Sequence, residues 1–221
     1  MIYFTSDQHF YHSNVIAYCA RPFASVEEMN LAIVANWNAV VRPEDTVYVL
    51  GDFSLAIRPV ELFSHLLNGT KFFIPGNHDW CHSYNKKARG QGNLQKWIDK
   101  YTSHGWTVLP EHSSLSIPGV AVVNMSHLPY AHESVMGPEA VTDVHYPSKS
   151  INSSARSDHD KFAAHRIKND GRWLLCGHVH EKWKTRDRMI NVGIDVWDMK
   201  PVSIEEIKAI ILGHRPISTE D

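Results

Sequence analysis

Five short runs of apolar and β-branched residues in this 221-residue chain each stop at a Gly or a Ser, and each stop is followed at once by a side chain that can bind a metal. The runs are "MIYFTS", "TVYVLG", "KFFIPG", "GVAVVNMS" and "RWLLCG". Their Val, Ile, Phe and Tyr content and their Gly or Ser punctuation mark them as β-strands. After them come Asp7 and His9, then Asp52, then Asn77, His78 and Asp79, then His127, and last His178 and His180. One histidine pair in a chain with 15 histidines would be an ordinary solvated turn. Five strand ends that each deliver an O or N donor are a pattern, because the carboxyl ends of strands in α/β sheets gather their loops into one crevice.

Helical patterns separate these strands. Ser25 with Glu28 reads as a capping box opening a helix through about Val40, and Ser203 with Glu206 repeats the device near the C-terminus. Leu31, Val34, Trp37 and Val41 recur at helical spacing, which predicts the face that packs on the sheet, with Met29 also in the core. Strands alternating with helices predict an α/β fold. The length and a 43% hydrophobic content allow one substantial core, so a single domain over 1–221 is expected, with a long insert at about 129–171.

Charge and cysteine usage narrow the class of function. Lys+Arg number 22 against 24 Asp+Glu, a net charge of −2, so no global basic field favours long nucleic-acid duplexes. Small substrates and short strands fit that balance. Cys19, Cys81 and Cys176 are odd in number and far apart, which suits a reducing compartment. The opening "IYFTSDQHF" has no basic and apolar signal pattern, and no segment approaches transmembrane length, so a cytoplasmic location away from the membrane is expected.

Asp7, His9, Asp52, Asn77, His127, His178 and His180 mix carboxylate, amide and imidazole donors. Such a set suits Mn, Fe or Zn better than Ca or a structural zinc knot; Mn is favoured and Ni is a further alternative. The donors are too many for one ion and fit two divalent metal ions bridged by a carboxylate. Two metals about 3.5–4 Å apart activate water and clamp the attacking and leaving oxygens of an in-line displacement, which is phosphoryl transfer to water. On an extended turn, His178 and His180 share one side of the chain and each addresses its own metal, with Val179 pointing to packing. Gly51, Gly76 and Gly177 precede the ligand turns, where the backbone must bend close to the metals.

The ordered set Asp7-x-His9, Gly51-Asp52, Gly76-Asn77-His78-Asp79, His127 and Gly177-His178-x-His180 resembles the calcineurin-like metallophosphoesterase pattern, with all five blocks in order. The stretch "INVGIDVWDMKPVSI" is similar to that family's closing hairpin and last helix. The resemblance implies a four-layer αββα sandwich, two central mostly β layers flanked by helices. It also implies that Asp7, His9 and His180 hold one metal, that Asn77, His127 and His178 hold the other, and that Asp52 bridges. His78 would contact the scissile phosphate, and Asp79 would orient its ring.

The family's protein Ser/Thr phosphatases carry an arginine after the Gly-Asp block, where this chain reads "GDFSLA", and a Glu where it reads "GNHDW". A phosphodiester, with one charge fewer to neutralise, is therefore the expected substrate, small or nucleotide-like. A nuclease or a phosphomonoesterase with the same metal core is the alternative; a non-catalytic scaffold is disfavoured by the intact donor set. His12, Asn14 and Arg21 are the candidate substrate contacts, set against a helix cap at Ser13 or Asn14 and an ion pair for Arg21. Lys86, Lys87 and Arg89 beside Tyr84 read as a solvated basic loop before a nucleotide site. The histidines of the insert, His132, His145 and His159, match no metal spacing, and substrate selection or oligomer contacts are the expectation there.

Overall fold

Side chains alternate across each strand with a period of two, and here both faces are apolar, so the strands divide their residues between two cores. The computed structural model describes residues 1–131 and 162–213. Strands β1 (Ile2–Thr5), β2 (Thr46–Val49), β3 (Thr70–Phe73) and β4 (Trp106–Val108) run parallel, and β10 (Val202–Ser203) adds an antiparallel edge beside β1. The second sheet has the order β5 (Ser113–Ile117), β6 (Ala121–Met125), β7 (Leu174–Cys176), β9 (Met189–Asn191), β8 (Thr185–Arg186). Its β6, β7 and β9 are parallel, with antiparallel hairpin partners at both edges.

One core lies between the first sheet and its helices α1 (Ser13–Tyr18), α2 (Val26–Val40), α3 (Ile57–Phe63) and α4 (Asn93–Thr102). Val47, Val49 and Phe73 meet Met29, Ile33, Trp37, Val60 and Tyr101 there. The other core joins the two sheets: Phe4, Leu50 and Ile74 from the first pack with Val123, Met125, Leu175 and Ile190 from the second, and Ile207 and Ile211 of α5 (Ile204–Gly213) complete it. On the far side of the second sheet, Leu174, Cys176 and Met189 pack with Tyr130, Ile167 and Trp183. This is a mixed α/β architecture with two face-to-face sheets and helices outside, as the calcineurin-like resemblance implies.

The five expected strands are present, and both Ser–Glu devices cap helices. Ser25 Oγ accepts the Glu28 N–H at 3.1 Å, although the Glu28 carboxylate accepts from Ala24 and not from Ser25 itself. Ser203 and Glu206 form the reciprocal pair, with N···O distances of 2.9 and 3.3 Å. Of the expected α2 face, Met29, Trp37 and Val41 are buried and Val34 packs against the core; Leu31 is the correction, at 69% exposed, and Ile33 takes its place in the buried stripe. Trp37 is anchored in that stripe by its Nε1–H bond to the Asn68 carbonyl at 3.0 Å. Strands β4 and β5 escape the sequence reading; "SSLSI" has three serines and lacks the apolar run that marks the others. Residues 132–161 of the expected insert, with His132, His145 and His159, lie outside the described residues.

Ile33→Ala should destabilise the protein by about 2–5 kcal/mol, the usual range for emptying a closed core site. Leu31→Ala should stay within about 0.5 kcal/mol of the parent, as exposed substitutions do. Urea unfolding of the two variants checks the rotation of the helix, and the reverse order of midpoints would contradict it.

Candidate metal centre

Beyond the last strand residues the backbone ladder continues into the loops. The Asp7 N–H donates to the Gly51 carbonyl at 3.0 Å, His9 to Asp52 at 3.1 Å, Gly177 to His127 at 2.9 Å and Ile194 to Ser6 at 3.1 Å. The chain then turns through left-handed backbone at Asp7 (φ 62°), His9 (51°), Asp52 (54°), His178 (73°) and His180 (47°). Each such non-glycine residue costs about 1–2 kcal/mol, a strain that persists only where surrounding bonds over-determine it. The extended turn expected at Gly177-His178-Val179-His180 is therefore corrected to a left-handed one. Its two imidazoles diverge, His178 joining Asp52 and His127, and His180 joining Asp7 and His9. Val179 points into packing and is buried. Gly177 is required by close approach: a Cβ there would lie 2.6 Å from the Asp7 carboxylate and closer still to Ser6 Oγ.

Within each triad the candidate donor atoms lie within 4.8 Å of one another. Asp52 stands between the triads. Its Oδ1 accepts the His78 N–H at 2.9 Å, which leaves Oδ2 facing His127 Nε2 at 3.3 Å, His9 Nε2 at 3.7 Å and His78 Nε2 at 3.9 Å. His127 Nδ1–H donates to the Leu50 carbonyl at 2.7 Å, so Nε2 is the ring nitrogen turned toward the site. Both ring nitrogens of His9 and the Asn77 Oδ1 are buried without a hydrogen-bond partner among the described residues. Buried polar atoms are ordinarily satisfied, and orphaned donors converging on carboxylates fit a divalent cation.

Burial holds the His9 and His178 rings well below the ordinary imidazole value, which keeps them neutral, as metal ligands must be. At His127 burial acts in the same direction, but the Asp52 carboxylate outweighs it and lifts the ring to about 9. Burial would raise Asp52, but His127 and then His78 hold it well below the carboxylate range. The negative charge of the site is thus concentrated between the two triads.

Two expected roles are corrected. The Asp79 carboxylate does not orient the His78 ring; it accepts backbone N–H bonds from Asp52 (2.7 Å), Phe53 (3.1 Å) and Gly76 (2.8 Å) and the Tyr101 hydroxyl (3.1 Å), tying the two ligand loops together. Burial and the Asp52 charge push it up to about 7. Arg21 does not face substrate either. It is buried, and all three guanidinium nitrogens donate inward, to Asp195 and to the Asp7 and Gln8 carbonyls. Asn14 is exposed on α1, and His12 occupies the N-cap position of that helix without a side-chain cap bond. The His12 ring lies 5.4 Å from that of His9, and burial lowers it to about 4.

Asp195 is the residue that sequence reading missed. Its signal was present: β9 ends at Asn191, and Gly193 and then Asp195 follow it, a sixth strand end that delivers a carboxylate. It accepts the His180 Nδ1–H at 2.9 Å. His82, Glu111 and His165 form another cluster of metal-ligand type. There, however, His82 Nδ1 accepts the Tyr84 N–H at 3.0 Å, so the proton of the neutral ring sits on Nε2 and points at Glu111, 3.3 Å away. The cluster is a hydrogen-bonded latch between the loop after Asn77 and the segment at His165.

A family model described as Calcineurin-like phosphoesterase matches residues 1–182, and the chain belongs to that family. Membership implies metal-dependent hydrolysis of a phosphoester. Over 81 residues the chain is 52% identical to the protein MJ1445 of Methanocaldococcus jannaschii, a match that covers 35% of this chain and 46% of that one. It is 29% identical to the Gene 66 protein of Mycobacterium phage L5 over 230 residues, 95% of this chain and 93% of the phage protein. The crystal structure of AQ665 from Aquifex aeolicus shares the fold, with a TM-score of 0.57 at 24% identity, covering 96% of this chain and 99% of that chain. Among the described residues no helix is long and apolar enough to cross a membrane. Cys19, Cys81 and Cys176 are buried free thiols.

Burial depresses the His82 ring from 6.5 to about 4 against the pull of Glu111, so protonation favours the unfolded chain between those values. Its contribution to stability is intact above pH 6.5 and falls as the pH drops toward 4. In metal-free protein the parent should lose more stability over that window than His82→Asn, whose amide oxygen can still accept the Tyr84 N–H. Urea midpoints measured from pH 7 to pH 4.5 check this; parallel losses in the two proteins would refute it.

Proposed function

We propose that this protein is a dinuclear metal-dependent phosphodiesterase acting on a small or nucleotide-like substrate. The observation that carries the reading is the position of Asp52 Oδ2, within 4.0 Å of an imidazole from each triad and of the His78 ring. A carboxylate so placed would serve two ions at once. Asp7, His9 and His180 would hold one, and Asn77, His127 and His178 the other. When bound, the pair supplies Lewis acidity and activates water for in-line attack on phosphorus.

The chain's own residues supply the remainder. The His78 side chain is 33% exposed, at the mouth of an otherwise buried site, where it can meet the leaving oxygen and donate a proton or stabilise developing charge. Asp79 fixes the loops that carry Asp52 and Asn77, and so acts on position. Arg21 is committed to internal partners and no arginine follows Gly51-Asp52, which supports a diester over the more highly charged monoester. Mn(II) is the favoured ion, because imidazole donors prefer it to Mg(II).

The test is a screen of metal-stripped and reconstituted protein against a phosphomonoester, a linear diester, a cyclic nucleotide and a short oligonucleotide. Chelation should abolish turnover, and Mn(II) should restore it better than Mg(II), with the small diesters turned over fastest. Preferred cleavage of the oligonucleotide or the monoester would replace the substrate assignment, and full turnover in chelator would end the two-metal reading.

Metal analysis of variants tests the roles. His178→Ala and His180→Ala should each bring two bound ions toward one, while Val179→Ala retains both. His78→Ala should keep two ions and lower kcat by about 10²–10⁴-fold, as loss of a general acid does. Loss of metal in His78→Ala would make it a ligand instead.

A further inference from the structure

We propose that Arg21 and Asp195 form a buried positioning relay that makes the Asp7–His9–His180 set the tighter of the two metal sites, so that the sites fill in order. This rests on reading those residues as ligands. A carboxylate only accepts hydrogen bonds, so the 2.9 Å contact from His180 Nδ1 to Asp195 Oδ2 puts the ring proton on Nδ1. In the neutral ring Nε2 is then the lone-pair atom, and it faces the Asp7 carboxylate at 4.0 Å. Asp195 is held in turn by Arg21, whose Nε donates to Oδ1 at 2.7 Å and whose Nη2 donates to Oδ2 at 2.9 Å.

The same guanidinium reaches the second ligand of this set. Nη2 also donates to the Asp7 carbonyl at 2.7 Å and Nη1 to the Gln8 carbonyl at 3.0 Å, across the left-handed backbone at Asp7. One cation thereby fixes both the main chain that carries Asp7 and the tautomer of His180.

Of the two imidazoles of the other triad, His127 is backed by no carboxylate; its Nδ1–H meets the neutral Leu50 carbonyl. An imidazole that donates to a carboxylate is the more basic ligand of the two, and removal of such an outer partner typically weakens metal binding by about 10–100-fold. Arg21 and Asp195 are buried side chains at 0% and 1% exposure, and a buried ion pair is often no more stabilising than an apolar one of the same size. Its position at two ligands of one triad is what it contributes.

Mn(II) titration of metal-stripped protein, followed by calorimetry, reads the two sites as separate steps. The parent should bind two ions with unequal affinity, and Asp195→Asn should weaken the tighter step by about 10–100-fold and leave the weaker one in place. Arg21→Lys keeps the charge but loses the fork, and should shift the same step in the same direction. It also decides the matter should Asp195→Asn fail to fold, which metal-free urea unfolding will show. His127→Ala should remove the weaker step and spare the tighter. Two ions bound by the parent, with Asp195→Asn and Arg21→Lys titrating as the parent does or weakening both steps alike, would overturn the relay alone. Fewer than two ions in the parent would overturn the ligand reading beneath it, and the relay with it.

Discussion

The site depends on strand ends that lie level. Thr5 pairs with Val49 and Val49 with Phe73, so β1, β2 and β3 finish at one edge and hand Asp7, Asp52 and Asn77 to the same place. In the second sheet Met125 pairs with Leu175 and Cys176 with Asn191, and His127, His178 and Asp195 arrive at the edge opposite. A slip of one residue in any of these strands would reverse every side chain between the two cores, so apolar burial of Phe4, Leu50, Leu175 and Ile190 enforces the register that the site needs. The chemistry is thus held by residues that take no part in it.

Within that frame the acidic residues divide their work by what surrounds them. Asp52 is left with one oxygen toward the imidazoles because its other oxygen is taken by the His78 backbone. Asp79, two residues beyond Asn77, turns its oxygens away to backbone N–H groups and the Tyr101 hydroxyl. Asp195 faces a ligand ring on one side and a guanidinium on the other; burial would raise it, but the His180 hydrogen bond and the Arg21 charge hold it down at about 2. Three carboxylates a few residues from metal-type donors therefore have three roles, and strained left-handed turns are tolerated because so many bonds converge on them.

Much of the candidate site was legible because strand periodicity and the residue after each strand are local properties. "TVYVLGD" names its strand, its bend and its carboxylate in seven letters. What escaped was non-local. Whether Leu31 or Ile33 faces the sheet depends on how α2 packs against distant strands, and it is Ile33 that is buried. The polar strand "SSLSI" gains its place by pairing with β6, and Arg21 and Asp195 find each other across 174 positions.

The sequence by itself determined the five strand–donor blocks, the helix starts at Ser25 and Ser203, and the family, since each is written in a short window where propensity and spacing act directly. Tertiary structure decided which donor meets which. It turned the His178–His180 loop left-handed, set Asp195 behind His180, turned Asp79 toward backbone and drew Arg21 inside. The physical reason is that a carboxylate, an imidazole or a guanidinium bonds to whatever packing brings within about 3 Å, and contacts at that range between distant segments are fixed only when the sheets have closed on their shared core.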